Sequence, residues 1–470
     1  MTQVFGITVE RRTFLYLLGD LIIAVLALPL GHSLRLGVEP SNFSLLTVLT
    51  EHTLVALIFI ATNLTALYVA EAYDPALDFR KRLTLIRIWI AVFVAMLLQM
   101  ATFYLLQTWW GGRSSTLFTN LTFVTLLTGW RMLMSQLQPR LNPRQKTLIL
   151  GINPAGALIT QVIHSQQDQG QIYDLVGFFD AMSQEEEGAF IEVPILAAAD
   201  GLEAVVAKHQ IGTIIVAILG GMDSQLTTQL LACKANGVHI EDMRTVYKRL
   251  TGKIPIQYLT DTSLIFGPVF SGTRGPERGL QRISDVVIAL IGLLLTFPLI
   301  AAAAVAIKRE DGGAIFYTQE RVGRNEEPFT IIKLRTMGAN AEAKSGPVWS
   351  GGAGDVRVTR VGAFLRKTRI DELPQFYNVL RGDMAVVGPR PERQFFVDQL
   401  KEKIPFYALR FAVKPGLTGW AQVRYRYGAS EEDAAEKLSF ELYAIQELTP
   451  LLYVLILLKT VQTVLLRPGS

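Results

Sequence analysis

The apolar stretch Val286–Ile307, VVIALIGLLLTFPLIAAAAVAI, decides how the C-terminal half of this chain folds. It has no charged residue and is long enough to cross a bilayer, which takes about 20 residues of helix. Basic residues flank it on both sides: Arg278, Arg282, Lys308 and Arg309. Such flanks favour keeping both ends on the cytoplasmic face, and Pro298 near the middle removes a helical hydrogen bond. The pattern predicts a re-entrant hairpin over residues 283–307 that breaks at Pro298, with a plain membrane span as the alternative.

The beginning of the chain is also strongly apolar, and it predicts a four-helix transmembrane domain over residues 1–138. Four runs approach the length of a membrane span: Phe14–Leu36, His52–Ala72, Leu83–Leu106 and Leu117–Met134. Arg and Lys cluster before the first run, between the second and third, and after the fourth, which places both ends of this domain in the cytoplasm. The alternative is a buried helical core of a soluble protein.

The amino-acid composition is typical of a membrane protein. Half of the 470 residues are hydrophobic and 18% are charged, below the roughly 25% of soluble domains. The single cysteine, Cys233, excludes an internal disulfide, and its apolar neighbours favour a core position over a reactive thiol. The net charge of +4 suits an anionic substrate and an anionic membrane surface, and we expect no nucleic-acid partner.

Residues 146–266 predict an α/β domain of the Rossmann-like type, because short apolar runs alternate with helix-like stretches. A first strand, Thr147–Leu150, leads into the glycine turn Gly151-Ile-Asn-Pro-Ala-Gly156. This turn lacks the third glycine of a dinucleotide fingerprint, and Asp180 is the nearest candidate for holding a ribose. The pattern favours a structural or regulatory module, with nucleotide binding as the alternative. A linker rich in glycine and proline follows at 267–279.

Residues 280–470 predict an α/β domain that carries the chemistry. Two β-like runs come first, Ile315–Gly323 and Phe329–Met337. Five cations then precede a carboxylate pair, Asp371-Glu372: Arg357, Arg360, Arg366, Lys367 and Arg369. Arg and Lys neutralise phosphate oxygens, Mg²⁺ prefers one or two carboxylates plus substrate phosphates, and a carboxylate can attack phosphorus. The pattern therefore indicates phosphoryl transfer, with a solvated basic helix face and a chance Asp-Glu step as the alternative.

From about Arg278 to Arg467 the chain resembles the bacterial polyprenyl-phosphate hexose-1-phosphate transferases, the initiating sugar transferases of exopolysaccharide assembly. Six ordered motifs carry the resemblance: Tyr317-x-Gln-x-Arg-Val-Gly323, Lys333-x-Arg-Thr-Met337, Arg366-Lys-Thr-Arg-Ile-Asp-Glu-Leu-Pro-Gln375, Asn378-Val-Leu-x-Gly-Asp-Met384, Val387-Gly-Pro-Arg-Pro391 and Lys414–Gln422. The four spans and the Rossmann-like module are similar to the long form of this family. Two positions depart from its pattern, because Phe297 replaces a serine before the central proline and Tyr453 replaces an acidic residue.

The resemblance implies roles for individual residues. Asp371 would be the nucleophile and Glu372 the Mg²⁺ ligand. The expected substrate-binding residues are Arg321, Lys333, Arg335, Arg360, Arg366, Asp383, Gly388, Pro389, Arg390 and Pro391, with the Gly388–Pro391 turn holding the nucleotide. Leu448–Leu466 contains Lys459 and Gln462, so it is expected to lie on the membrane surface rather than cross it.

The implied reaction transfers a hexose-1-phosphate from a UDP-sugar to undecaprenyl phosphate and releases UMP, through a covalent aspartyl-phosphosugar. The implied setting is the bacterial cytoplasmic membrane, with a multi-pass protein, a cytoplasmic catalytic domain and a homodimer. A glycosyltransferase that releases UDP and a membrane-anchored nucleotide sensor are the alternatives. No motif identifies the sugar, since glucose and galactose differ by one hydroxyl orientation.

Overall fold

A computed structural model describes most of the chain, and its residues fall into two compact units, 1–246 and 247–470. The described residues are 2–4, 7–9, 11–36, 52–70, 72–73, 79, 82–106, 113–141, 145–165, 173–179, 193–196, 201–259, 276–338, 357–425, 428 and 430–466. The Asp180 candidate and most of the predicted linker, 267–275, lie outside these residues.

The first unit begins with a short hairpin of β1 (Thr2–Val4) and β2 (Ile7–Val9), followed by helices where the apolar runs predict them. These helices are α1 (Arg11–Leu36), α2 (Thr53–Val69), α3 (Arg82–Leu106) and α4 (Arg113–Leu141). Of these, α1 and α3 contain apolar stretches long enough to span a membrane, Phe14–Leu36 and Thr84–Leu106, whereas α2 is shorter. The helical region is therefore confirmed, and its four crossings stay a prediction.

Polar side chains join these helices in their apolar interior. Arg131 on α4 forms a fully buried ion pair with Asp20 on α1, and its guanidinium lies 4.3 Å from the ring centre of Tyr16. Asn120 donates to Gln99 at 2.8 Å and accepts from Asn63 at 3.2 Å, so it links three helices. Since its charge is paired inside the protein, Arg131 is not one of the solvent-facing cations that orient the helices.

The Rossmann-like part of this unit is a parallel sheet of the strand order β4-β3-β5-β6. Its elements, in chain order, are β3 (Gln145–Leu150), α5 (Pro154–Ser165), β4 (Tyr173–Phe179), α6 (Gly201–His209), β5 (Thr213–Val216), α7 (Ser224–Ala235) and β6 (His239–Asp242). Helix α8 (Met243–Thr251) follows. Cys233 is buried in the core below the sheet, as its neighbours in the sequence predict.

The glycine turn between β3 and α5 is closed by its own side chain. Asn153 Oδ1 accepts hydrogen bonds from the backbone N–H groups of Ala155 (2.9 Å) and Gly156 (3.0 Å). A phosphate bound at the start of a helix needs such N–H groups. The turn therefore has the features of a structural element, which agrees with the favoured interpretation of this module.

The second unit contains two small sheets and several helices. Its elements are α9 (Pro276–Asp311), β7 (Phe316–Val322), β8 (Pro328–Leu334), α10 (Arg360–Thr368), α11 (Gln375–Arg381), β9 (Ala385–Val387), α12 (Gln394–Lys403), β10 (Gly416–Thr418), α13 (Trp420–Arg424), α14 (Glu431–Glu447) and α15 (Pro450–Leu466). Strands β7 and β8 pair antiparallel, and β9 and β10 pair parallel. The predicted strands Ile315–Gly323 and Phe329–Met337 thus exist with slightly shorter bounds.

The apolar stretch Val286–Ile307 lies within α9, which continues through Pro298. Only Ala289, Ala303 and Ile307 of this stretch are buried, and the rest is partly or fully exposed. The stretch is long and apolar enough to cross a membrane. The helix also begins at Pro276, so the last four residues of the predicted linker 267–279 are helical. The break at Pro298 stays a prediction, because the described backbone is assigned as helix on both sides of it.

A segment before the predicted linker packs into the second unit. Ile254 and Ile256 are 4% and 8% exposed and share a core with side chains of α12 and α14. The indole Nε1 of Trp420 donates to the carbonyl of Gly252 at 2.9 Å. The sequence places residues 247–259 in the Rossmann-like domain 146–266, whereas their packing places them with the catalytic domain. Apolar residues this close to a boundary carry no pattern that tells which core they enter.

Candidate active site

The carboxylate pair lies on a short turn that one unusual backbone conformation creates. Helix α10 ends at Thr368, and the next residue, Arg369, has a left-handed backbone conformation with a positive φ of 57°. A single 3₁₀ turn, Ile370–Glu372, follows directly and carries both acidic side chains. A left-handed residue commonly ends a helix in this way, although glycine usually supplies it. Asp371 and Glu372 are therefore fixed by the junction of two rigid elements.

Glu372 is held by two cations from different parts of the domain. Its Oε1 accepts hydrogen bonds from Lys333 Nζ at 2.9 Å and from Arg390 at 2.6 Å. Burial alone would raise the pKa of Glu372, but the charges of Arg390 and Lys333 and their hydrogen bonds hold this pKa well below its usual range. Glu372 therefore stays ionised, and its carboxylate is oriented before any substrate arrives.

Asp371 has the opposite character. It is 8% exposed, and burial, followed by the negative charge of Glu372, raises the pKa of Asp371 to about 6. The charges of Lys333, Arg366 and Arg390 act on it in the other direction. A carboxylate that is buried, poorly solvated and close to several cations is a reasonable nucleophile for a phosphate ester.

The other predicted residues divide into those near the pair and those directed elsewhere. Arg366 is near, and its Nε donates to Thr336 Oγ1 at 2.9 Å. Arg335 instead pairs with Asp311 at the end of α9. Arg360 is exposed at the start of α10. Asp383 accepts from Arg381 at 2.6 Å, so in this structure it serves the turn after α11.

The Gly388–Pro391 turn is packed tightly against a second loop. A Cβ on Gly388 would lie 2.4 Å from the carbonyl oxygen of Lys414, so no other residue fits there. The N–H of Gly416 donates to the Pro389 carbonyl at 2.8 Å, and Arg321 donates to the Pro391 carbonyl at 3.2 Å. This packing fixes the turn and presents Arg390 to Glu372.

Two residues that hold the surrounding structure together, Arg410 and Asn378, are not among the candidate site residues. Arg410 is buried, makes two 2.8 Å hydrogen bonds to Glu441, and donates to the backbone carbonyl of Arg390 at 2.9 Å. Asn378 donates to the Thr330 carbonyl and accepts from the Ile332 N–H, which ties α11 to β8. Asn378 belongs to a recognised motif, but no sequence pattern indicates Arg410 or Glu441, because their pairing spans thirty-one positions.

A cavity of about 270 Å³ adjoins the carboxylate pair through Arg390. The Gly388–Pro389 turn, the start of α9 and the loop around Lys414 form its walls. Apolar side chains of α14 and Trp420 line the rest. The expected nucleotide-binding turn thus lines a partly open cavity.

The carboxylates of the site suit a magnesium ion whose remaining ligands would come from the phosphates of the substrate. The described residues contain no group of three or more His, Cys, Asp or Glu side chains arranged for a metal. Mg²⁺ does not need such a group, since it commonly takes one or two carboxylates together with substrate phosphates. Asp371 and Glu372 offer that number, and both hydrogen bonds to Glu372 fall on the single atom Oε1.

Cations surround an acidic pair in a domain that also contains a helix long and apolar enough to cross a membrane. This combination is typical of enzymes that act on phosphate groups at a membrane. The family profile described as "bacterial sugar transferase" matches residues 276–467. This chain belongs to the bacterial sugar transferase family. A second profile, described as a CoA-binding domain, matches residues 69–241.

Named relatives agree with this family. A UDP-N-acetylgalactosamine-undecaprenyl-phosphate N-acetylgalactosaminephosphotransferase of Aeromonas hydrophila is 40% identical over 51% of this chain and 56% of its own length. A UDP-glucose:undecaprenyl-phosphate glucose-1-phosphate transferase of Escherichia coli is 38% identical over 41% of this chain and 40% of its own length. The exopolysaccharide production protein ExoY of Sinorhizobium fredii is 34% identical over 44% of this chain and 96% of its own length. The chain thus spans about half the length of the first two.

Proposed function

We propose that this protein transfers a hexose-1-phosphate from a UDP-sugar to undecaprenyl phosphate and releases UMP. The observation that carries the proposal is the pairing of Glu372 with Lys333 and Arg390 directly beside the buried Asp371. The names of the relatives support the two substrates. The name of the ExoY relative supports a role in exopolysaccharide production. We propose that the transfer is the first membrane step of exopolysaccharide or related glycan assembly.

The proposed chemistry has two displacements at one phosphorus atom. In the first, a carboxylate oxygen of Asp371 attacks the β-phosphorus, and the bond to the oxygen that bridges the two phosphates breaks. UMP leaves with that oxygen, and the sugar phosphate remains on Asp371. In the second, a phosphate oxygen of undecaprenyl phosphate attacks the same phosphorus. The bond to Asp371 then breaks and its carboxylate is restored.

The cations explain how two negative groups approach each other. Arg366 lies within electrostatic reach of Asp371, and Lys333 and Arg390 lie against Glu372, so all three can offset the charge of a diphosphate. We propose that Glu372, with Asp371 nearby, holds Mg²⁺, which would supply further charge neutralisation when bound. Pro389 and Pro391 keep the Arg390 turn rigid, because proline fixes its backbone angle.

We also propose that the catalytic domain lies on the cytoplasmic face and that α9 re-enters the membrane at Pro298. An unbent helix would place Arg282 and Asp311 roughly 43 Å apart. Yet Arg282 donates to the Val379 and Leu380 carbonyls, and Asp311 pairs with Arg335, all in one small domain. The flanking cations on both sides favour the same arrangement.

Topology is tested with a thiol reagent that cannot cross membranes. In a Cys233→Ser background, Ala314→Cys should stay unlabelled in intact cells and react after lysis. Gly112→Cys, in the connection predicted to lie outside, is the positive control. Labelling of Ala314→Cys before lysis would refute the hairpin.

The reaction is tested with a donor labelled in its β-phosphate and no lipid acceptor. Label should remain on the wild-type protein after denaturation and be absent from Asp371→Asn. Asp398→Asn, a matched change at an exposed carboxylate on α12, should label normally. With acceptor present, UMP should accumulate, whereas release of UDP would identify a transferase that moves the sugar alone. A homodimer, expected from the family resemblance, is tested by light scattering of the purified complex.

A further inference from the structure

The cavity beside the active site contains cations that the two displacement steps do not use. Arg282, Arg324 and Lys414 all line it. Within the described residues, the ammonium of Lys414 has no hydrogen-bond acceptor. The amide Nε2 of Gln422, which also lines the cavity, is buried without a partner. Both groups line the same cavity, where an anionic or polar ligand would satisfy the two donors.

The electrostatics of the cavity favour an anion. Burial, and then the charges of Arg282 and Arg324, lower the pKa of Lys414. The nearby carboxylates compensate only in part, since Asp285 accepts from Tyr453 and the Val386 N–H, while Glu441 is paired with Arg410. Asp383 also acts on Lys414, but its carboxylate accepts from Arg381.

The position of the cavity favours a lipid over a soluble anion. Arg282 and Asp285 line it immediately before the apolar stretch Val286–Ile307, and Leu448 lines it immediately before the apolar helix α15. Cations that flank a membrane segment lie at the level of the lipid headgroups. Val413 and Ile445 add apolar wall to the same space, which suits the first part of a hydrocarbon chain.

We propose that Lys414 and Gln422 bind the phosphate of a membrane lipid, and that this lipid is the undecaprenyl phosphate acceptor. The inference rests on the proposed function for the identity of the acceptor. Arg390 joins this cavity to Glu372, so an acceptor held here would lie next to the aspartyl-phosphosugar. An anionic phospholipid has the same chemistry and is the other source of a lipid phosphate.

Lys414→Met is the main test, because it removes the charge and keeps most of the side-chain volume. The KM for undecaprenyl phosphate should rise at least about tenfold, from the loss of a hydrogen bond to a charged group. Labelling of Asp371 from the UDP-sugar without acceptor should be unchanged, which shows that the fold and the first displacement survive. Lys414→Arg should restore most of the acceptor affinity. Lys401→Met, an exposed lysine on α12, is the matched control and should change neither value.

Further measurements distinguish the acceptor from an anionic phospholipid and from the nucleotide as the ligand of this cavity. Phosphatidylglycerol is titrated into the detergent, and its effect on turnover is measured for wild type and Lys414→Met. If Lys414→Met loses this effect while its KM for undecaprenyl phosphate is unchanged, the site binds phospholipid and the acceptor assignment is wrong. A raised KM for the UDP-sugar would assign the cavity to the nucleotide and overturn the proposal. No change in any parameter in folded Lys414→Met would also overturn it. If Lys414→Met fails to fold, Gln422→Leu provides the same comparison through loss of the amide donor. If wild-type protein takes no label, the covalent step of the mechanism fails, and the KM for undecaprenyl phosphate in Lys414→Met still tests this site. If wild-type protein releases no UMP when UDP-sugar and acceptor are both present, the proposed function itself fails.

Discussion

Deleting residues 247–259 should destabilise the catalytic domain, although the sequence motifs begin only at about residue 278. The comparison is between a chain that starts at Tyr247 and a chain that starts at Thr260. Both lack the first unit, so they differ only in this segment. The side chains at stake are Ile254 and Ile256, which are buried against α12 and α14.

The expected loss can be worked out from this burial. Each fully buried isoleucine contributes about 1.5–3 kcal/mol, so the two together contribute about 3–6 kcal/mol. Trp420 also loses its acceptor, the Gly252 carbonyl, which adds about 0.5–1.5 kcal/mol. The ion pairs of Lys248 and Lys253 are partly exposed and contribute little. The sum approaches the whole stability of many domains, about 5–15 kcal/mol.

Thermal unfolding in one detergent, followed by tryptophan fluorescence, measures the difference. For a domain of this size each kcal/mol shifts the Tm by about 2–4 °C, so the total loss of about 3.5–7.5 kcal/mol should lower the Tm of the shorter chain by roughly 7–30 °C. In the full chain, the double variant Ile254→Ala, Ile256→Ala should also lower the Tm. Gln257→Ala, at an exposed neighbouring position, should leave the Tm unchanged. Equal Tm values and equal labelling of Asp371 in both truncated chains would refute the assignment of this segment to the catalytic core.

Three further predictions concern the active site. Labelling of Asp371 without acceptor should increase with pH through about 6 and then level off, because only the carboxylate form attacks; a rate that is flat from pH 5 to 8 would contradict this. Arg410→Met should lower the Tm by an amount that corresponds to about 3–5 kcal/mol, since it leaves Glu441 charged and buried, whereas Glu326→Gln at an exposed pair should cost under about 1 kcal/mol. Gly388→Ala should abolish labelling while the protein remains folded, because its methyl group would displace the turn that carries Arg390; full activity would show that this packing can relax.

The sequence predicts which residues belong to the candidate site better than it predicts the partner that each of them contacts. The family resemblance predicts that Lys333, Arg366 and Arg390 act together with the acidic pair, and the structure brings all three to it. Their action on a phosphate stays a prediction. Arg335 differs, since it pairs with Asp311 twenty-four positions away, and nothing in a run of alternating side chains tells which neighbour a cation selects. The structure also joins Tyr453, at the position where the family has an acidic residue, to Asp285 through a 2.8 Å hydrogen bond. A neutral donor there satisfies the carboxylate of Asp285 without adding a second negative charge.

Two adjacent carboxylates acquire different chemistry here because their surroundings differ. Glu372 faces two cations that both bond to one of its oxygens, so its charge is secured and its basicity is reduced. Asp371 has no such direct pairing among the described residues, and burial raises its pKa to about 6. A more basic carboxylate is a better nucleophile, provided that it is still ionised at the working pH. Glu372 therefore has the properties of a metal ligand, and Asp371 has those of the attacking group. The double variant Asp371→Glu, Glu372→Asp would keep the total charge. It would move the longer side chain to position 371 and leave the shorter one to reach Lys333 and Arg390.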